Sequence, residues 1–414
     1  MPNELTPLLT VIIPTLNRRD TLYWTIKTVI AQTYKNLKVI ISDNCSEDDI
    51  KELLDYFEDK RISYIKTPER FTMMQHYEYI LNYANEGYIS ILGSDDGFLP
   101  GSIEKVVNII NKHKNIPAIG WRFGNYNWPG LPPFFMIPMA NYYRIVNAKK
   151  EIKKIFKESI YQTISFPSIY GGFISIELIK ILRQRNNGVF FHSRIPDFFS
   201  GALIAASVQK YIRLEFPITL NATSKTSAGF ATISSTVDQG PFNDLLNNEG
   251  NAPFHPSLKF IRCNVVPISD ALLQVNNLVP SFPKIPIKKV IDEVIKEMTY
   301  EHDETKFKEI HDGVIEIGKR NHIENYVKDI LSKVIHVPKP ATIKKKFSPV
   351  SSSLYVDTTK TNINNVEDAC NFAAEVLPKR FYLLKINFLK MYFKIIALVQ
   401  FLYLKFFSSK RKYL

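Results

Sequence analysis

Tyr88-Ile-Ser-Ile-Leu-Gly-Ser-Asp-Asp-Gly97 is the stretch on which the fold turns. A short apolar run, Tyr88 to Leu92, suits a buried strand. It ends abruptly in two adjacent carboxylates followed by Gly97. Such a pair at a strand end suits a hard divalent cation, which takes oxygen ligands and can bridge to diphosphate oxygens. The competing reading is an ordinary surface turn, for which Asp-Asp-Gly is a common composition. The sequence on either side decides between the two.

Upstream, Thr10 to Ile13 is another buried-strand candidate, ended by Pro14. Leu22, Ile26, Val29 and Ile30 then recur at helical spacing behind Asp20, an N-cap candidate. Leu37 to Ile41 reads as a strand, and Ser46 is placed to cap a helix carrying Ile50, Leu53, Leu54 and Phe57. A strand over Arg61 to Ile65, a helix near Thr72 to Ala84, a helix opening near Ser102 and a strand over Ala118 to Phe123 continue the alternation. Strands alternating with helices predict a mostly parallel sheet covered on both faces. Ligands of such sheets bind beyond the carboxyl ends of the strands. The loops there, Pro14 to Arg18, Ser42 to Ser46 and Gly93 to Gly97, are where polar and acidic residues gather.

Downstream, Trp128 to Pro138 reads as an irregular, apolar, Pro-rich segment. Gly171-Gly172 precedes a helix with Ile174, Leu178, Ile181 and Leu182, Pro196 opens another, and Tyr211 to Phe216 is a strand candidate. After about Phe230 the alternation stops. Thr232 to Pro256 looks like a loop or boundary, and helical patterns dominate from Pro267.

Four blocks taken together narrow the reading. They are Thr10-Val-Ile-Ile-Pro-Thr-Leu-Asn-Arg18, Thr25-Ile-Lys-Thr-Val-Ile-Ala-Gln-Thr-Tyr34, Val39-Ile-Ile-Ser-Asp-Asn-Cys-Ser46 and Tyr88-Ile-Ser-Ile-Leu-Gly-Ser-Asp-Asp96. In order and spacing they resemble glycosyltransferase family 2, over roughly residues 8–230 and most strongly over the first 110. The resemblance implies an α/β GT-A nucleotide-sugar-binding domain with a mostly parallel central sheet, followed by a helical C-terminal region. It implies that Pro14, Thr15, Asn17 and Arg18 pack around the nucleotide and that Asp43 recognises the base. The second acid of the family's usual pair is Asn44 here. The family's metal-binding acidic motif corresponds to Ser94-Asp95-Asp96, with Ser94 in place of its first acid. Asp96 is then the metal ligand, for Mn²⁺ or Mg²⁺, and Asp95 contacts ribose or metal. Arg70 is placed to meet sugar or phosphate, or is a solvated surface arginine.

Displacing a nucleoside diphosphate from an anomeric carbon needs neutralisation of the leaving group and a base for the acceptor hydroxyl. Asp197, in Ser193-Arg-Ile-Pro-Asp-Phe-Phe-Ser-Gly201, resembles the family's catalytic acid; the alternative is a first-turn carboxylate favoured by the helix dipole. His192 and His255 read as surface or core histidines rather than further ligands. Ser224-Lys-Thr-Ser227 is a polar segment able to close over a diphosphate.

The chain of 414 residues carries 53 basic and 40 acidic side chains, a net charge of +13. Nine of the bases lie from Pro378 onward, where nothing acidic offsets them, so the other 377 residues contribute only +4. Lys390, Lys394 and Lys405 form a basic stripe beside an apolar face of Leu384, Phe388, Met391, Ile395, Leu398 and Leu402. Such a helix suits the interface of an anionic bilayer, and its apolar core is too short to span one. The alternative is a terminal helix packed on its own domain or in a dimer. No nucleic-acid-binding module is recognisable.

Cys45, Cys263 and Cys370 make neither a disulfide framework nor a zinc spacing, which suits a reducing compartment. Met1 to Pro7 does not read as a signal peptide. The division expected is 1–235 catalytic, 236–375 mainly helical and 376–414 membrane-associating. The expected activity is metal-dependent, inverting transfer from a nucleotide sugar, with a UDP-sugar as the expected donor, to a glycan or lipid-linked acceptor at the cytoplasmic face of the cell membrane. The rivals are a non-catalytic glycan-binding scaffold and a sugar nucleotidyltransferase, though Pro14 to Arg18 lacks the glycines of a phosphate loop.

Overall fold

Leu9–Thr15 forms β1, and every residue of it except Pro14 is buried. It runs parallel to β2 (Leu37–Asp43) on one side and β4 (Tyr88–Ile91) on the other. The period-two alternation of a strand sends Leu9, Val11 and Ile13 to one face and Ile12 to the other. The first face is covered by α1 (Arg19–Ile30), α2 (Ile50–Leu54) and α4 (Ser102–Lys112), through Leu22, Ile26, Val29, Ile50, Ile103 and Val106. The second is covered by α3 (Met73–Ile80), α6 (Ile176–Arg185) and α7 (Pro196–Ser207). Burying one such Ile, Leu or Val contributes about 1.5–3 kcal/mol, so each face is held by many modest terms. This computed structural model describes residues 6–227, 254–301, 303–334, 347–348 and 353–377.

The main sheet has eight strands in the order β3 (Ile62–Lys66), β2, β1, β4, β10 (Gly172–Ser175), β6 (Ala118–Trp121), β11 (Lys210–Leu214) and β9 (Tyr143–Asn147). The first four are mutually parallel, as is the β6–β11 pair, and β10 runs antiparallel to both of its neighbours. A second sheet has six strands, in the order β13 (Phe347–Ser348), β14 (Ser353–Val356), β8 (Phe135–Pro138), β7 (Gly124–Asn127), β12 (Thr219–Thr223) and β5 (Gly97–Phe98). The mostly parallel α/β architecture expected from the sequence is therefore present.

Local details differ from the sequence reading for identifiable reasons. Pro14 does not end β1, because its nitrogen faces the β4 side, where the ladder stops at the Ile12–Ile91 pair. No ladder bond is lost there. Asp49, not Ser46, caps α2, its side chain accepting from the Glu52 N–H. Gly171-Gly172 leads into β10 before α6 begins, and the segment 128–138 read as irregular contains β8.

The helical region begins with α8 (Val265–Leu278), packed on α7, and continues through α9 (Ile287–Met298), α10 (Glu304–Arg320) and α11 (Glu324–Leu331). The chain then returns to the N-terminal fold. β14 pairs antiparallel with β8, and α12 (Val366–Val376) lies on α1, where Lys27 and Glu367 form a 2.6 Å ion pair. Cys370 and Val366 of α12 fill the space against Gly97. The boundary read near 235 and the basic amphipathic stretch after Leu377 lie outside the described residues. Among the described residues no helix is long and apolar enough to cross a membrane. Cys45, Cys263 and Cys370 are free thiols.

Candidate active site

The three loops beyond β1, β2 and β4 are tied to one another. Asn17, in the left-handed region at φ 53°, donates its N–H to Ser46 Oγ at 3.0 Å and accepts the Glu47 N–H on Oδ1 at 2.8 Å. Asn tolerates that conformation better than most residues. The first loop is thus locked to the second, and Ser46 serves this junction. Thr15, which pairs with Asp43 across the strands, is buried with its Oγ1 unpartnered among the described residues. Pro14 is half-buried beside it.

Asp43 closes β2 and is almost fully buried. Its Oδ1 accepts the Ser46 N–H at 2.8 Å, Oδ2 accepts the Tyr64 hydroxyl at 2.8 Å, and Lys66 Nζ lies 3.8 Å from Oδ2. Beneath it His76 Nε2 meets Ser42 Oγ at 2.7 Å. Burial pushes the His76 imidazole down to about 4 against the opposing pull of Asp43, so it is neutral. Asn44 accepts the Phe71 N–H on Oδ1 and donates from Nδ2 to the Phe71 carbonyl, each at 2.8 Å. An amide offers both donor and acceptor, which a carboxylate does not, and this explains Asn at the position. The clamp holds the exposed Arg70 next to the second loop.

Ser94, Asp95 and Asp96 are all buried. Asp95 Oδ1 lies 3.6 Å from Arg18 Nη1, while its Oδ2 accepts from Ser224 Oγ at 2.8 Å and from Ser227 Oγ. Arg18 also donates to the Thr226 carbonyl, and Trp128 Nε1 donates to the Asp95 carbonyl at 3.0 Å. The polar segment Ser224 to Ser227 therefore sits directly on Asp95. Asp96 turns inward: Oδ1 accepts the Ala222 N–H at 2.7 Å, and Oδ2 accepts the Gly93 N–H at 3.2 Å and the Tyr170 hydroxyl. Burial, reinforced by the charge of Asp95, lifts the Asp96 carboxyl to about 7 despite these donors.

Asp197 occupies the first turn of α7, just after Pro196, and is half-buried. Burial raises its carboxyl to about 6 against the N–H groups of Phe198 and Asp197 itself. The Tyr77 hydroxyl is pushed up first by burial and then by the charges of Asp197, Asp96 and Asp95, with Arg18 opposing. His192 does not join them as a ligand; its Nε2 lies 3.3 Å from the Val189 carbonyl. His255 Nδ1 accepts the Ser257 N–H at 3.3 Å.

Among the described residues no group of three His, Cys, Asp or Glu side chains is arranged to hold a metal ion. The donor set still fits Mg²⁺ or Mn²⁺, which bind through one or two carboxylates plus substrate phosphates rather than all-protein cages. Two adjacent buried acids, one with a raised pKa, form a site whose electrostatic cost a divalent cation relieves.

Tyr64, Tyr77, Tyr170 and Trp128 were not singled out in the sequence. One signal for Tyr170 was present in the glycines that follow it. A Cβ on Gly171 would lie 2.2 Å from Phe123 Cζ, and one on Gly172 would lie 2.4 Å from the Ile119 carbonyl oxygen. That glycine pair marks a close backbone approach beside the site.

Comparison with known proteins bears on the same region. The profile of Glycosyl transferase family 2 matches residues 10–168. WfaP of Escherichia coli, a UDP-Glc:α-D-GlcNAc-diphosphoundecaprenol β-1,3-glucosyltransferase, is 30% identical over 119 residues, which are 29% of this chain and 46% of that protein. A GalNAc(5)-diNAcBac-PP-undecaprenol β-1,3-glucosyltransferase of Campylobacter jejuni is 30% identical over 116 residues, 26% of this chain and 35% of that one. The match thus spans less than half the length of these relatives. Residues 1–349 of TarS from S. aureus, crystallised with UDP-GlcNAc, align at 13% identity with a TM-score of 0.45, covering 78% of this chain and 92% of that one.

Proposed function

Residues 10–168 belong to Glycosyl transferase family 2, and from that premise we propose that the protein is an inverting glycosyltransferase. It uses a nucleotide sugar, with UDP as the nucleotide, and extends a lipid-linked glycan. The observation that carries this reading is the buried Asp95–Asp96 pair at the end of β4, with Asp95 facing Arg18 of the first loop at 3.6 Å. The donor choice and the acceptor class are supported by the names of the two undecaprenol-dependent relatives.

Asp43, held between Ser46 and Tyr64, presents a fixed carboxylate to the base. The Asn17 junction and Thr15 shape the wall beside it, and Arg18 stands between that loop and the acidic pair. Asp95 and Asp96 would hold a Mg²⁺ or Mn²⁺ that supplies charge neutralisation to the departing diphosphate. Asp197 accepts the proton of the acceptor hydroxyl as that oxygen attacks the anomeric carbon. The new C–O bond forms as the bond to the diphosphate oxygen breaks on the opposite face, which inverts the centre. A carboxyl titrating near 6 is ionised at neutral pH yet more basic than an ordinary Asp, which suits it to this role. The protein acts at the inner membrane face, held there by residues 376–414.

The test is to incubate the protein with Mn²⁺ and a panel of nucleotide sugars and to follow release of the nucleoside diphosphate. Turnover with one donor, lost in Asp96→Ala, is the expected result. Absence of both binding and turnover with every donor would overturn the reading.

A further inference from the structure

Ile195, the residue from which α7 starts, has no side-chain cap to offer, and its φ of −111° and ψ of 78° lie outside the helical region. Its carbonyl accepts the Phe199 N–H at 3.1 Å, which opens the helix. The direction of α7 therefore depends on how Ile195 is held. The Ile195 N–H donates to Ser193 Oγ at 3.3 Å, closing a short side-chain turn. The Ser193 hydroxyl donates in turn to Asp270 Oδ2 at 3.1 Å. Ser193 and Asp270 are each 1% exposed, so the link runs through the interior.

Asp197 follows two residues after Ile195. Pro196 has no N–H, and the Asp197 carboxylate is met by the N–H groups of Phe198 and of Asp197 itself. A carboxylate held by the backbone of a first turn points where that turn points. The turn has a second tie on its other side. Ser200 Oγ donates to the Asp197 carbonyl at 3.0 Å and accepts the Ile169 N–H at 3.3 Å. Ile169 adjoins Tyr170, whose hydroxyl donates to Asp96.

Asp270 is a costly residue for its place. It lies on α8, which packs on α7, and a Leu or Met there would pack without desolvating a carboxylate. Both of its oxygens are used. Oδ2 takes the Ser193 hydroxyl, while Oδ1 takes the His255 N–H at 2.7 Å and the Gln274 amide at 3.4 Å. We propose that Asp270 is a positioning residue for transfer: through Ser193 it fixes the start of α7 and with it the aim of the Asp197 carboxylate. This rests on the transferase reading above, with Asp197 as the base. Proton transfer needs heavy atoms within about 2.6–3.2 Å, so a small tilt of the first turn lowers the rate and leaves nucleotide binding intact. The helical region, which lies beyond the family-matched residues 10–168, thereby takes part in the chemistry.

The test measures kcat for nucleoside diphosphate release, with Mn²⁺ and the nucleotide sugar that the protein turns over, in Ser193→Ala and Asp270→Asn. Each should lower kcat about tenfold or more, with calorimetric UDP affinity within about twofold and an unchanged binding stoichiometry. The two combined should be less than additive, because they break one link. The decisive comparison repeats Ser193→Ala in an Asp197→Asn background. There it should cost less than about twofold, since the group it positions is already gone. A loss as large in that background as in the unaltered protein overturns the proposal, as does an unchanged kcat in both single variants. A fall in UDP stoichiometry that matches the fall in kcat shows that the link only holds the fold, and overturns it too. If Ser193→Ala does not fold, Asp270→Asn in the same two backgrounds decides. If Asp197→Asn keeps full activity, or the unaltered protein turns over no donor, the transferase reading fails in its base or altogether, and the proposal falls with it.

Discussion

Replacing Asp270 by Asn should change how stability depends on pH, and the sign follows from where the carboxylate lies. Asp270, on α8, is 1% exposed. It accepts the His255 N–H at 2.7 Å, the Ser193 hydroxyl at 3.1 Å and the Gln274 amide at 3.4 Å. Burial outweighs these donors and the nearby positive charge of Arg194, and it raises the carboxyl from 3.8 to about 6. The folded protein therefore holds this proton more tightly than the unfolded chain. The associated stability is fully present below pH 3.8 and is lost as pH rises through about 6. The whole loss is about 3 kcal/mol, of which about 1 kcal/mol falls between pH 5 and pH 7. Asn does not titrate. Denaturant unfolding of both proteins at pH 5, 6 and 7 isolates the term, because every other group cancels in the difference. The variant should gain on the unaltered protein by about 1 kcal/mol across that range, whatever its absolute cost from altered hydrogen bonding. A difference constant from pH 5 to pH 7 would refute the reasoning.

Asp197→Asn should lower transfer by about 10²–10⁴-fold, the usual worth of a general base. In the unaltered protein kcat/KM should fall about tenfold per pH unit below about 6, as the Asp197 carboxylate is protonated, and the variant's residual rate should lack that limb. Gly97→Ala would place a Cβ 2.8 Å from Cys370 Sγ and 3.0 Å from Val366 Cγ2, so α12 must shift. A loss of about 1–3 kcal/mol is expected in thermal or denaturant unfolding. A protein ending at Leu377 should remain free of anionic liposomes that the full chain floats with; equal flotation of the two would remove the anchoring role of the basic stretch.

The donor half of the site was legible because its residues are local in sequence. Each acidic loop follows directly on an apolar strand, and parallel strands deliver their carboxyl ends to one edge. The residues that complete the site come from far along the chain. Tyr170 reaches Asp96, Trp128 reaches the Asp95 carbonyl, Glu293 holds Ser159 and Asp270 holds Ser193. No periodicity records such pairings, since each depends on tertiary packing. The same limit hid the second sheet. β8 pairs with β7 just before it and with β14 far downstream, and the Pro-rich approach between β7 and β8 masks the strand signal. Asn17 and Ser46 are the reverse case: Asn17 was expected at the nucleotide and Ser46 at a helix cap, and their observed bonds tie the two loops together. They shape the site by fixing its walls.

The charge balance of the donor half leads to a last prediction. A diphosphate entering beside Asp95 and Asp96 meets two buried carboxylates, and the guanidinium facing them, Arg18, lies 3.6 Å from Asp95. Asp96 already takes three protein donors, so little of its charge is left for a hydrogen-bonding ligand. Unscreened like charges in a buried site repel strongly. Nucleotide binding should therefore require a divalent cation. By calorimetry, UDP affinity should fall at least about tenfold when Mn²⁺ is replaced by a chelator, a step of about 1.4 kcal/mol. Asp96→Asn should reduce that dependence, because it removes both a donor of charge to the cation and a source of repulsion. If UDP binds equally well with Mn²⁺ and with chelator, then Arg18 and the loop N–H groups suffice, and the pair Asp95–Asp96 has some other task than holding a metal.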